Sequence, residues 1–181
     1  MSNDKAVAIK GGVWTSVSTI VTVLTQFIRL MILTRFLDKS DFGLVAIINT
    51  VIGLCLTFTD LGCSSAIMYK KEITNEEYST LFWVQLFIFT IIYFLLWLTS
   101  PFVANFYNEP QLVLLIPIAS LTVLFQAFGK LYDTVLQKRY HFKTIAYRNI
   151  LANIISLIIA VYLAIEDFGV YSLVLSTLAY T

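Results

Sequence analysis

Charged residues and catalytic residue types are both scarce in this sequence. Only 13% of its 181 residues are Asp, Glu, Lys or Arg, whereas a typical soluble domain has about 25%. It has one histidine, His141, and two cysteines eight positions apart, so it lacks a histidine-based metal site and the usual spacing of cysteine ligands. It also lacks the glycine-rich GK[ST] loop of ATP-driven motors. These absences argue against catalysis and against ATP hydrolysis, and nothing in the composition supports nucleic-acid binding.

Apolar residues make up most of the chain and occur in long runs. The hydrophobic fraction is 59% and the mean hydropathy is +0.83. A helix needs about 20 apolar residues to cross a membrane. Five segments reach about this length and a sixth is cut off by the end of the sequence: 12–37, 42–68, 80–100, 111–136, 145–165 and 169–181. The connectors are short, so we predict an all-α integral membrane protein, an antiparallel helix bundle that forms one lobe over residues 1–181.

The distribution of lysine and arginine predicts the orientation of this bundle. With a cytoplasmic N-terminus, the inner connectors hold Lys5, Lys10, Lys70, Lys71, Lys138, Arg139 and Lys143, and the outer ones hold Arg35 and Lys39. The positive-inside rule therefore places the N-terminus in the cytoplasm. Four of the inner residues are candidates for contact with an anionic lipid headgroup: Lys70, Lys71, Lys138 and Arg139. That contact is worth about 1 kcal/mol per charge, and the alternative is that these residues only enforce the topology.

Two of the predicted spans carry polar residues along one helical face. In the first span the face consists of Ser18, Thr22, Thr25 and Arg29, with Gln26 beside it. In the fifth span it consists of Asn149, Asn153 and Ser156. Ser, Thr and Asn often form hydrogen bonds between packed membrane helices, worth about 1 kcal/mol or less each. Helix packing is therefore one interpretation of both faces, and the lining of a polar cavity is the other.

The third and fourth spans differ from these two. The third is apolar on almost all sides and has Trp83 and Trp97 near its ends, so we predict that it mainly faces lipid. The fourth has a polar face at its cytoplasmic end: Gln126, Lys130, Asp133 and Gln137. We interpret this face as a solvated helix end with an internal pair between Lys130 and Asp133.

Arg29 is the most unusual residue in the sequence because it lies inside an apolar run. An arginine at membrane depth costs from about 3 to above 10 kcal/mol, depending on how the cost is measured. The acidic residue of the second span, Asp60, lies about 28 Å along its helix from Asp41 and therefore near the opposite membrane face. Arg29 must then face either another helix or a water-filled cavity, and we favour the cavity.

Six segments of the chain resemble, in order, one family of membrane transporters. They are GGVWTS, LTRFLDKSDFGLVAI, TDLGCSSAIMYKKEITNEEYSTLFW, PFVANFYNEPQL, LQKRYHFKTIAYRN and EDFGVYSLV. These segments resemble the N-terminal half of oligosaccharide flippases of the multidrug/oligosaccharidyl-lipid/polysaccharide exporter superfamily. Within it, the chain is most similar to polysaccharide biosynthesis exporters. The resemblance extends over essentially all 181 residues.

The resemblance implies a transporter of the bacterial inner membrane that turns an undecaprenyl-diphosphate-linked oligosaccharide to the outer leaflet. Such proteins have two six-helix lobes around a cavity that opens alternately to each side, driven by an ion gradient without a cofactor. The second lobe would have to come from the same chain or another. The resemblance implies that a cationic residue contacts the diphosphate, and Arg29 is our candidate. The other candidate cavity residues are Gln26, Thr22, Thr25, Asn149 and Asn153.

Three alternatives remain open. A multidrug extruder of the same superfamily would move cationic drugs and would need buried carboxylates, of which this sequence offers only Asp60 well inside a span. A membrane-embedded glycosyl- or acyltransferase would need a large loop or domain to hold its donor, whereas the longest connector has about ten residues. The third alternative is that the chain is a non-functional fragment or a half-size protein that must dimerise.

Overall fold

The computed structural model describes residues 2–57, 74–138 and 140–181, with the side chains of residues 2–10 and 75 left out. This part of the chain forms six helices and contains no strand. They are α1 (Ser2–Leu33), α2 (Lys39–Thr57), α3 (Asn75–Tyr107), α4 (Leu112–Lys138), α5 (Phe142–Ile165) and α6 (Val170–Tyr180). The first five contain segments long and apolar enough to cross a membrane, and α6 is shorter. The predicted all-α membrane bundle is confirmed.

Helix α3 is longer at both ends than the segment 80–100 predicted from the sequence. It begins with a capping box in which the backbone N–H of Glu77 donates to Thr74 Oγ1 and the N–H of Thr74 donates to Glu77 Oε2, both at 3.3 Å. At the other end the helix continues through Pro101. It ends where Asn108 adopts a left-handed conformation with φ of 57°, which lets the N–H of Glu109 donate to the carbonyl of Ala104.

One serine explains why the proline does not end the helix. Pro101 has no N–H for the carbonyl of Trp97, and Pro117 of α4 likewise leaves the carbonyl of Val113 without its helical partner. The hydroxyl of Ser100 lies 3.0 Å from the Trp97 oxygen and 3.2 Å from the Val113 oxygen. Ser100 is buried, and the single proton of its hydroxyl is shared between the two carbonyls that the prolines leave without a helical donor.

The helices pack in a chain of neighbours. Helix α1 packs on α5, α5 on α6, α6 on α2 and α4, and α3 mainly on α4. The larger apolar core lies among α2, α3, α4 and α6, around Ile48, Phe89, Leu115 and Val123. The opposite side of α3 exposes large apolar residues, including Trp83, Phe87 and Phe106, as a lipid-facing helix requires.

Close packing fixes the register between α1 and α5. Gly11 of α1 lies against the ring of Phe142, where an added Cβ would come within 2.5 Å of the ring. Eleven residues further along both helices, Asn153 Nδ2 donates to Thr22 Oγ1 at 3.0 Å. The two helices therefore run parallel, and each residue of α1 lies level with the residue about 131 positions later. This register determines the position of Arg29.

Candidate functional site

A cavity of about 850 Å³ lies inside the bundle, which is within the usual size range of ligand sites. Helices α1, α2, α4, α5 and α6 form its wall, and no residue of α3 belongs to it. Helix α2 contributes mainly apolar residues, among them Val45, Ile48 and Ile52, and one amide, Asn49. The charged and amide side chains of α1, α4 and α5 on the wall are Gln26, Arg29, Gln126, Asp133, Gln137, Arg148, Asn149 and Asn153. The cavity therefore has one apolar side and one strongly polar side.

Arg29 lies half-buried on this wall and is held by a hydroxyl group. Its Nη1 donates to Ser156 Oγ at 3.3 Å, and Ser156 Oγ in turn donates to the carbonyl of Ser176 on α6 at 2.5 Å. No carboxylate pairs with Arg29 anywhere in the described segments. Among the described residues, a hydroxyl group thus orients the guanidinium group and no carboxylate neutralises it.

The side chain of Arg29 points toward the middle of the bundle. In the α1–α5 register, residue 29 lies level with residue 160, but its guanidinium contacts Ser156, four residues or about 6 Å closer to the N-terminal end of α5. This direction follows from helix geometry, because each Cα–Cβ bond tilts toward the helix N-terminus. The charge is therefore deeper than the position of the Cα atom indicates.

A second arginine, Arg148, lies on the same wall and has a carboxylate partner. Its two terminal nitrogens face the two oxygens of Asp133, with Nη2 at 2.6 Å from Oδ2 and Nη1 bonded to Oδ1. Nη2 also lies 3.4 Å from Asn149 Oδ1. This two-pronged geometry is the strongest form of the arginine–carboxylate pair.

Sequence reasoning missed Arg148 and its pairing with Asp133. Gln126, Asp133 and Gln137 all lie on the cavity wall and Gln137 is exposed, so the solvated end of α4 stays a prediction. A signal was present: Asp133 lies five residues before the end of α4 and Arg148 six residues after the start of α5. Residues equally far from a short connector face each other in an antiparallel helix pair.

The structure separates the other candidate residues into two groups. Gln26, Asn149 and Asn153 lie on the cavity wall with Arg29, whereas Thr22 and Thr25 are not part of it. Thr22 accepts a hydrogen bond from Asn153 across the α1–α5 interface, which is the helix-packing role considered above. A role of these residues in cargo binding stays a prediction.

The structure describes one of the four candidates for headgroup contact. Lys70, Lys71 and Arg139 lie outside the described residues, as does Asp60, so the predictions for them stay open. Lys138 is the last residue of α4 and is not part of the cavity wall.

Comparison with known proteins gives one family match and several relatives. A family model described as polysaccharide biosynthesis protein matches residues 32–181, so Arg29 lies just outside the matched region. The teichuronic acid biosynthesis protein TuaB of Bacillus subtilis (strain 168) is 32% identical over 160 residues, 88% of this chain and 32% of its own length. The succinoglycan biosynthesis transport protein ExoT of Rhizobium meliloti (strain 1021) is 28% identical over 94% of this chain and 34% of its own length.

A third relative is the lipopolysaccharide biosynthesis protein WzxC of Escherichia coli (strain K12), which is 27% identical over 76% of this chain and 28% of its own length. The chain spans about a third of the length of these relatives. No solved structure has significant similarity to it.

Proposed function

Because the chain belongs to the polysaccharide biosynthesis protein family, the flippase-type exporters of the superfamily named above, we propose that it transports a lipid-linked oligosaccharide. The proposed cargo is an undecaprenyl-diphosphate-linked oligosaccharide, moved from the cytoplasmic to the outer leaflet of the bacterial inner membrane for surface polysaccharide synthesis. The names of three relatives refer to three different polysaccharides, so they do not select one sugar for this chain. One relative is named a transport protein, in agreement with a role other than catalysis.

The observation that carries this proposal is the charge of Arg29 on the cavity wall, which no carboxylate of the described residues neutralises. A cation at this depth costs several kcal/mol unless an anion or water compensates it. A diphosphate supplies the missing negative charge, and the planar guanidinium group binds phosphate oxygens through two parallel hydrogen bonds. The cavity thus offers an anionic headgroup a polar route past the hydrocarbon core.

The proposed transport cycle uses the cavity in alternation. The N-terminus lies in the cytoplasm, the cavity opens in turn to each side, and an ion gradient drives the cycle without a cofactor. A second lobe, from the same chain or another, completes the cavity around the cargo. Helices α1 and α2 both contribute to the cavity wall but are not a principal packing pair.

A cationic drug is a poorer fit to the cavity than an anionic headgroup. A drug extruder needs a carboxylate that is free to bind the cation. Among the wall residues of the described segments, the acidic residue is Asp133, and Arg148 already neutralises it. The remaining charged side chain among these described wall residues is Arg29, whose positive charge would repel a cation.

Replacement of Arg29 in the full-length protein tests the proposal. In cells that depend on this protein, Arg29→Gln at normal expression should reduce the transfer of lipid-linked oligosaccharide at least 10-fold, since a charged hydrogen bond is worth about 1.5–3 kcal/mol. Arg29→Lys should retain part of the activity, because a point charge cannot reproduce the two-pronged contact. Arg35→Gln, an exposed arginine away from the cavity, is the matched control. Unchanged transfer by Arg29→Gln would contradict the proposal.

A further inference from the structure

The part of the cavity around Arg148 differs chemically from the part around Arg29. Arg148 has five N–H donors, and its contacts with Asp133 and Asn149 use three of them. The Asp133 carboxylate has acceptor sites beyond the two that Arg148 occupies. This region therefore presents free donors and free acceptors side by side, and its formal charges cancel.

Amide side chains extend this mixed character along α4. Gln126 and Gln137 lie on the same wall as Asp133, and neither forms a side-chain hydrogen bond within the described residues. Gln126 and Gln137 are 11 residues apart, or about 16 Å along the helix. Each amide offers both a donor and an acceptor. The polar strip is longer than a single phosphate group.

Phosphate is a poor match for this strip. Phosphate oxygens at neutral pH are mainly acceptors, and the Asp133 carboxylate repels them at contact distance. Sugar hydroxyls both donate and accept hydrogen bonds and carry no charge. A ring bearing several hydroxyls can use the free groups of Arg148, Asp133 and the amides without breaking the ion pair.

We propose that the Arg148–Asp133 pair, with Gln126, Gln137 and Asn149, forms a separate subsite for the uncharged sugar rings of the cargo. This inference rests on the proposed function, in which Arg29 binds the diphosphate. Arg148 lies eight residues before Ser156 on α5, about 12 Å along the helix from the contact of Arg29. One phosphate group cannot reach both arginines, whereas a headgroup with several sugars extends from one to the other.

The test compares two lipids on purified full-length protein in nanodiscs. One is undecaprenyl diphosphate, and the other is the pool of lipid-linked oligosaccharides extracted from the cell that makes the protein. The measured quantity is the ratio of the two dissociation constants. The wild type should bind the sugar-bearing lipids about 10-fold more tightly, the effect of one or two good hydrogen bonds.

Two variants test whether the proposed subsite causes the preference for sugar-bearing lipids. Gln137→Ala should lower the preference about 3-fold and leave binding of undecaprenyl diphosphate unchanged, and its matched control is Gln111→Ala in the connector before α4. Asp133→Asn should remove most of the preference, because it breaks the ion pair that orients Arg148 and replaces the charged acceptor for sugar hydroxyls by a neutral one. Its control is Asp167→Asn, at an exposed position whose φ of 57° suits asparagine.

The outcomes separate this inference from the proposed function. Equal affinity of the wild type for both lipids, or a preference that neither Gln137→Ala nor Asp133→Asn alters, would overturn the sugar subsite alone. If Asp133→Asn tightens the binding of both lipids equally, Arg148 is a second phosphate site, and this result would also overturn the sugar subsite. If Arg29→Gln does not weaken undecaprenyl diphosphate binding, the proposed function fails while the sugar ratio still tests the subsite. If the wild type binds neither lipid, both proposals fail.

Discussion

The α3–α4 helix pair and the cavity wall both place polar groups inside a membrane bundle, but they use them differently. In the helix pair, the Ser100 hydroxyl supplies the carbonyls of Trp97 and Val113, which two prolines leave without a helical partner. On the cavity wall, Arg29 contacts one hydroxyl group and retains its charge. A polar group whose partners are all backbone atoms stabilises the fold, whereas a charge without a counter-ion is available to a ligand.

Residue type alone does not identify a functional polar residue in a membrane helix. Thr22 and Asn153 are both polar and belong to facing stripes, yet they bond to each other across the α1–α5 interface. Arg148 carries the same charge as Arg29, but Asp133 neutralises it. The partners of a group, rather than its polarity, distinguish packing from binding.

In the α3–α4 helix pair we expect a strong effect on stability at Ser100. Ser100→Ala removes the donor from two carbonyls at a buried position, so we expect the free energy of unfolding to fall by about 2 kcal/mol. Transport per folded molecule should not change, because no residue of α3 lies on the cavity wall. Thermal unfolding in detergent and the transport assay measure the two effects. Ser16→Ala, at an exposed position of α1, is the control. A loss of transport at unchanged stability would contradict the assigned role.

The second prediction concerns the cavity wall and gives Arg29 a counter-ion. Gln26 lies three residues before Arg29 on the same helix and on the same wall, so Gln26→Glu adds a carboxylate beside the guanidinium with little change in shape. Its repulsion of a diphosphate should reduce transport about 10-fold, equivalent to about 1.4 kcal/mol, with stability unchanged. Gln111→Glu, outside the cavity, is the matched control. Transport at the wild-type rate would show that the free charge of Arg29 is not needed.

The smallest effect concerns Ser156, which both stabilises the fold and contacts the charge of Arg29. Its hydroxyl donates to the backbone of α6 and accepts from Arg29. Ser156→Ala should therefore lower the unfolding free energy by about 1 kcal/mol and reduce transport a few-fold. A double-mutant cycle measures how far the transport effect of Ser156 depends on Arg29. In an Arg29→Gln background, Ser156→Ala should not lower transport further. Additive losses of transport would mean that Ser156 acts independently of Arg29.

Much of the fold follows from the sequence, because an apolar run of about 20 residues crosses a membrane as an α-helix. The extension of α3 through Pro101 did not follow, since it depends on Ser100 reaching a carbonyl on the neighbouring helix as well as its own. Local rules identify a proline as a helix end unless another group supplies the missing donor. That donor is recognisable only once the helices are packed.

The candidate site was accessible to sequence reasoning only in part. Arg29 was recognisable because a charge inside an apolar run has a high cost. Arg148 was not, because it lies near a basic connector where positive charge is ordinary. Its pairing with Asp133 depends on the packing of α4 against α5, which sequence spacing only suggests.

The sharpest evidence comes from the affinity of the full-length protein for undecaprenyl diphosphate, measured in parallel for Arg29→Gln and for the double variant Arg148→Gln/Asp133→Asn. We expect the dissociation constant to rise about 10- to 100-fold for Arg29→Gln, which removes a cation that no carboxylate of the described residues neutralises. For the double variant, which removes a matched ion pair and leaves no unpaired charge behind, we expect a rise of less than about 3-fold. Equal losses, or a larger loss for the double variant, would contradict the assignment of Arg29 as the diphosphate contact.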